Sequence, residues 1–161
     1  MEYQRGEWVV HCTHGLGKVL GIEERTMDGN RSLYYEIQAS DLTIWVPMDE
    51  NLESRLRLPS SATEFREIIS TLSEPAEALP EDFRQRNLQI HTRLKDGGAE
   101  ARCKVLRDLT AYRHNRALSD HDRDLMTKVR KTLIGEWSFS LSITREEAEM
   151  ELHRSLTYLL E

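Results

Sequence analysis

Asp28 and Gly29 stand between two β-rich runs, GKVLGIEERT and RSLYYEIQA, and this pair narrows the possible folds more than any other in the chain. A two-residue type I′ turn needs φ > 0 at both central residues, which Asp-Gly accepts and most pairs do not, so a hairpin is predicted across Met27-Asp28-Gly29-Asn30. The earlier run WVVHC joins the first of these strands through a short turn at Thr13-His14-Gly15-Leu16. LTIWV then alternates, placing Leu42, Ile44 and Val46 on one face and Thr43 and Trp45 on the other. Four or five short antiparallel strands in the first 58 residues describe a small, strongly bent sheet or SH3-like barrel, with an open edge or aromatic face to offer a partner.

After Pro59, Ser60 and Ser61 the periodicity changes from two to that of a helix. Ser61 and Glu64 have the spacing of a capping box, as do Ser119 with Asp122 and Thr144 with Glu147. The apolar stripes behind them are Phe65, Ile68, Ile69 and Leu72, then Leu125, Met126, Val129, Leu133 and Trp137, then Ala148, Leu152, Leu156 and Leu159. A basic helix ending at Asp96-Gly97-Gly98 and a helix from Ala99 to about His114, burying Cys103, Val105, Leu106, Leu109 and Tyr112, complete the set. The expected class is α+β in two domains: a Tudor-like or SH3-like β-barrel over 1–58 and an all-α bundle of five helices over 59–161.

The basic helix, within LPEDFRQRNLQIHTRL, carries the most specific surface pattern. At about 100° per residue, Phe83, Ile90 and Leu94 share a stripe. Arg86 and Arg93 lie along one flank of it, and Arg84, His91 and Lys95 along the other. Phe83 is in the first turn, nearly two turns before Ile90, so the helix can bury its far end and present an aromatic tip between guanidinium groups. Minor-groove proteins push such tips into base steps while Arg and Lys hold the flanking phosphates. The plainer reading makes Phe83 the first core residue of an ordinary amphipathic helix.

A formal net charge of −6 argues against a general nucleic-acid coat protein, yet the charge is unevenly placed. Residues 83–137 hold 13 Lys and Arg against 7 Asp and Glu, a net +6, whereas 61–82 are −5 and 138–161 are −3. A DNA contact built this way is local, weak at physiological salt, and dependent on a second point of attachment. The sequence contains no phosphate-binding loop, nucleophile elbow or zincin motif. His11, Cys12 and His14 are not expected to share a metal, because adjacent strand residues point to opposite faces. MEYQRGEW has no apolar h-region, and no stretch approaches the roughly 18 apolar residues of a membrane span. Cys12 and Cys103 have no CxxC spacing, and free thiols in the cytoplasm are the expectation.

Taken in order, GEWVVHCTHGLGKVLGIEERT, LTIWVP, LPEDFRQR and RCKVLRDLTAYRHNRALSDHDRDLMTKVRKTLIGE resemble the CarD family of bacterial transcription regulators over nearly the whole chain. The resemblance implies a Tudor-like N-terminal domain, shared with transcription-repair coupling factor, that binds the RNA polymerase β subunit. It also implies a C-terminal helical domain that touches promoter DNA at the upstream edge of the −10 element and lodges an aromatic wedge in the minor groove, stabilising the open complex. Pro80, Phe83 and Arg86 match the family's P-x-x-W-x-x-R, which makes Phe83 the implied wedge. The implied phosphate contacts are Arg84 and Arg86 beside it, with Arg123 and Arg130 on the fourth helix. Arg25 matches a basic residue that the family sets against the β subunit, and Met27 and Trp45 complete the implied polymerase contact. A monomer with no cofactor and no enzymatic activity is expected.

Three residues depart from the family pattern. Phe83 stands where the family has tryptophan, which keeps the wedging area but loses the indole N–H. Leu88 replaces a cation found in some members, and Trp45 replaces an arginine, making the polymerase face more apolar. An adaptor that binds one protein through the strands and another through the helices is the alternative reading.

Overall fold

The computed structural model describes residues 2–96 and 98–158, with the backbone alone at Asp96. Gly97, in the break expected after the basic helix, and Leu159, the end of the last apolar stripe, lie outside the described residues. Internal contacts divide the chain into two units, Met1–Pro59 and Ser60–Glu161.

The first unit is an antiparallel sheet of β1 (Trp8–His11), β2 (Gly15–Met27), β3 (Asn30–Ala39), β4 (Leu42–Pro47) and β5 (Leu56–Arg57), with a one-turn helix α1 (Leu52–Arg55) before β5. The strand order is β4-β3-β2-β1-β5. Met27 pairs with Asn30 across the hairpin, and Asp28 and Gly29 have φ of 53° and 78°, the sign that a type I′ turn requires at both positions. The sheet is open, not the closed barrel expected. β5 is only two residues long, enough to pair with Val10 and His11 of β1 but not to reach the opposite edge.

One face of the sheet buries Val9, Val19, Tyr35, Ile37, Val46 and Leu56. Tyr3, ahead of the first strand, is packed there too, its backbone N–H donating to the Tyr35 hydroxyl at 2.9 Å and its ring edge-on to that of Tyr35. Of the three apolar residues expected to line one face of β4, Val46 is buried and Ile44 packs beside it, but Leu42 is 51% exposed because the strand runs past the core. Gly17 is needed for close approach, since a Cβ there would lie 2.6 Å from Ile37 Cγ2. Gly17→Ala is therefore expected to cost about 1–3 kcal/mol through overpacking, read as a lower urea midpoint for the sheet.

The second unit contains α2 (Ala62–Ser70), a 3₁₀ turn (Thr71–Ser73), α3 (Phe83–Asp96), α4 (Gly98–Asn115), α5 (Asp120–Leu141) and α6 (Arg145–Tyr158). With α1 of the first unit the described residues hold six α-helices, five of them in the second unit. The Ser61–Glu64 and Ser119–Asp122 boxes are both reciprocal. At Thr144 the Glu147 N–H donates to the hydroxyl at 3.1 Å, while the Glu147 carboxylate accepts that hydroxyl at 3.3 Å. Phe65, Leu106, Leu133, Trp137 and Leu152 centre the larger apolar cluster, and Leu79, Ile90, Val105, Leu109 and Leu118 form a second one under α3. No described helix is long and apolar enough to cross a membrane.

Candidate functional site

In the first unit a β-bulge decides which side chains face outward. The register of β2 against β3 shifts between Val19 and Gly21, so Val19 pairs with core residue Ile37 and Ile22 pairs with core residue Tyr35. An unbroken alternation would have put Val19, Glu23, Arg25 and Met27 on one face. The extra residue turns the last three to the side away from the core.

There the structure brings the three implied polymerase contacts together. The Arg25 guanidinium lies 4.3 Å from the Trp45 ring centroid. Trp45 Nε1 donates to Glu23 at 2.7 Å, which fixes the indole, and the Tyr34 hydroxyl donates to Met27 Sδ at 3.3 Å. Met27 is 60% exposed and Trp45 40%. Glu23 is occupied by the indole N–H, so Arg25 stacks on an aromatic face with no carboxylate partner among the described residues. A stacked guanidinium with free donors, ringed by exposed apolar groups, suits a protein surface that supplies an acid.

In the second unit Phe83 opens α3 and is 45% exposed, whereas Ile90 is fully buried and Leu94 partly so. Asp82 caps the helix, its Oδ1 accepting from Gln85 N at 3.0 Å. Arg84 is exposed beside the ring. The ring packs edge-on against His121, centroids 6.1 Å apart, and His121 Nε2 is 3.1 Å from His91 Nε2.

Arg86 is not where a phosphate contact needs it. It is 4% exposed, and its Nε and Nη2 donate to Asp122 Oδ2 at 3.2 and 2.9 Å. Its Nη1 donates to the Pro80 carbonyl at 3.2 Å, the Glu81 carbonyl at 3.0 Å and the Tyr112 hydroxyl at 3.2 Å. The guanidinium lies beneath the Phe83 ring, 5.8 Å from its centroid and 4.8 Å from that of Tyr112. The expectation that Arg86 meets a phosphate is thus corrected: its charge is committed inside the protein. The helical wheel gave its angle and not its depth, and Asp122, 36 residues away, carries no signal except as a cap.

The other two arginines sit apart along α5. Arg123 donates to the Leu118 carbonyl at 2.9 Å and pairs with Asp120, with its side chain still mostly exposed. Arg130 lies seven residues further on, at a groove of about 700 Å³ lined with Glu146, Met150, His153, Arg154 and Tyr158 of α6.

Burial raises the Asp122 pKa, but hydrogen bonds from Arg86 and Ser119 outweigh it and the net shift is downward. Because the folded pKa lies below the unfolded value, the stabilisation is fully present above ordinary carboxylate pKa values and is lost as pH falls through the folded value. Asp122→Asn should therefore lower the urea midpoint at neutral pH and bring it closer to that of the parent chain toward pH ~3.

Among the described residues no three His, Cys, Asp or Glu converge. His11 Nδ1 accepts from the backbone of Thr13 and His14 at 3.0 and 3.1 Å, so it closes the first turn. Burial pushes the Cys103 thiol up to about 12.

The structure thus presents an Arg–Trp–Met face on an open sheet and, in the helical unit, an exposed ring over a buried guanidinium. The sequence matches two family descriptions: the CarD-like/TRCF RID domain over residues 3–57 and the CarD C-terminal domain over residues 67–153. A Bacillus subtilis (strain 168) protein named "Putative transcription factor YdeB" is 25% identical over 149 residues, covering 90% of this chain and 96% of the relative. The chain belongs to the CarD family of bacterial transcription regulators.

Proposed function

We propose that the first unit docks on the RNA polymerase β subunit through Arg25, Met27 and Trp45, and that the second unit holds melted promoter DNA at the upstream edge of the −10 element. Phe83 is the wedge in the minor groove. Arg84, Arg123 and Arg130 supply phosphate contacts along the basic zone, while Arg86 supports the ring from below. The observation that carries this reading is the exposed Phe83 ring at the tip of a helix that is buried two turns further on, at Ile90. A surface phenyl that the fold could have covered, next to the exposed cation Arg84, suits insertion between bases, with the few kcal/mol of unstacking offset by phosphate contacts.

Attachment to polymerase makes the DNA step effectively intramolecular, at local concentrations in the mM range. A chain of net charge −6 then needs no strong free affinity for DNA. It acts as a monomer in the cytoplasm, bound to the transcription machinery. Arg25→Glu is the direct test of docking: calorimetry against an isolated β-subunit lobe should show affinity reduced by about tenfold or more, and equal affinity would remove Arg25 from the interface. The internal use of Arg86 favours a second reading, an adaptor with little DNA contact. A salt titration separates the two, since phosphate contact requires log K to fall steeply with log[salt].

A further inference from the structure

A ring on the first residue of a helix is poorly held by that helix alone, because its backbone lies at the end of the hydrogen-bond ladder. Phe83 is in that position, yet its two packing partners both depend on the first turn of α5. His121 meets the ring edge-on, at an interplanar angle of 83°, and the Arg86 guanidinium beneath it is bonded to Asp122. Asp122 Oδ2 accepts from Arg86 Nε and Nη2 and from Ser119 N, so a single carboxylate oxygen caps α5 and anchors α3. Arg86 Nη1 reaches back to the carbonyls of Pro80 and Glu81, fixing the chain that leads into Phe83, and to the hydroxyl of Tyr112 on α4. The approach segment, α3, α4 and α5 are therefore joined at one guanidinium, directly under the exposed ring.

We propose that Asp122 and Tyr112 are positioning residues for the wedge, acting through Arg86 to hold the Phe83 ring in one orientation ready for DNA. The assignment of the ring to DNA rests on the function proposed above, but the claim that these residues orient it does not. The Arg86–Asp122 pair has side chains 5% and 1% exposed, out of reach of solvent screening and of any partner, so its effect on DNA passes through the ring.

The experiment places 4-fluorophenylalanine at position 83 of the full chain and records its ¹⁹F resonance, alone and with Asp122→Asn, Tyr112→Phe or Ser119→Ala. Ser119→Ala serves as the structural control, because it removes the α5 cap hydroxyl and leaves the Arg86 contacts. A single narrow line is expected in the parent and in Ser119→Ala, with a shifted or broadened line in Asp122→Asn and, to a smaller extent, in Tyr112→Phe. If Asp122→Asn fails to fold, Tyr112→Phe, which removes one bond of the five, decides alone. In the complete polymerase–promoter complex, at a temperature where every variant is folded, Asp122→Asn should shorten the open-complex lifetime by about threefold or more, and Ser119→Ala should not. An unmoved resonance in both Asp122→Asn and Tyr112→Phe, or an equal effect of Ser119→Ala, would overturn the proposal. If the resonance moves and Phe83→Ala leaves the lifetime unchanged, the positioning stands and the wedge reading falls.

Discussion

Phe83→Ala is expected to shorten the lifetime of the open promoter complex by about tenfold or more, the loss of roughly 1.4–2 kcal/mol typical of a well-placed aromatic at an interface. Affinity for polymerase should not change, because the residues proposed to dock, Arg25, Met27 and Trp45, lie in the other unit. Nor should the protein unfold. A ring that is 45% exposed has little area to lose, and the α3 core contact is made by Ile90. A drop in complex lifetime without a drop in melting temperature therefore separates the wedge from a core residue, whose truncation would cost about 3–5 kcal/mol of stability. Phe83→Trp makes the complementary test. The larger ring restores stacking area and an indole N–H, so the complex should last longer than with the parent chain.

Arg86→Ala is expected to cost about 3–5 kcal/mol of folding stability, because it leaves Asp122 buried without its counter-charge. The same change strands the Pro80 and Glu81 carbonyls and the Tyr112 hydroxyl. Lysine should not rescue it, since one ammonium cannot reproduce a planar fork that bonds a carboxylate, two carbonyls and a phenol. Arg84→Ala provides the contrast: nearly unchanged stability, and a salt slope of complex formation smaller by about one ion. Urea denaturation of the two variants side by side distinguishes an internal strut from a surface phosphate contact.

The sequence shows the parts whose cause is local. The Asp28–Gly29 turn and the Ser61 and Ser119 caps are chemistry within four residues, and each forms. The amphipathic stripe of α3 likewise pointed to the burial of Ile90 but left open whether Phe83, on the same stripe, is covered; it is 45% exposed. What it hides depends on distant partners. Arg86 reads as a surface cation until Asp122 and Tyr112 are folded against it. Tyr3 belongs to no strand, yet it completes a core with Tyr35 that only the three-dimensional sheet creates. The outward turn of Arg25 rests on the bulge at Val19 and Gly21, for which an isolated glycine inside a strand is the one sequence hint. Closure of the sheet could not be read either, because it hinges on β5 being two residues long.

On the proposed function, the Phe83 ring meets DNA while the sheet is bound to polymerase. A photoreactive benzoylphenylalanine at position 83, irradiated in the assembled polymerase–promoter complex, tests it most directly. Crosslinks to DNA at the upstream edge of the −10 element are predicted, and they should disappear when Arg25→Glu releases the protein from polymerase. Crosslinks to protein alone, or DNA crosslinks scattered without regard to the bubble, would contradict the account.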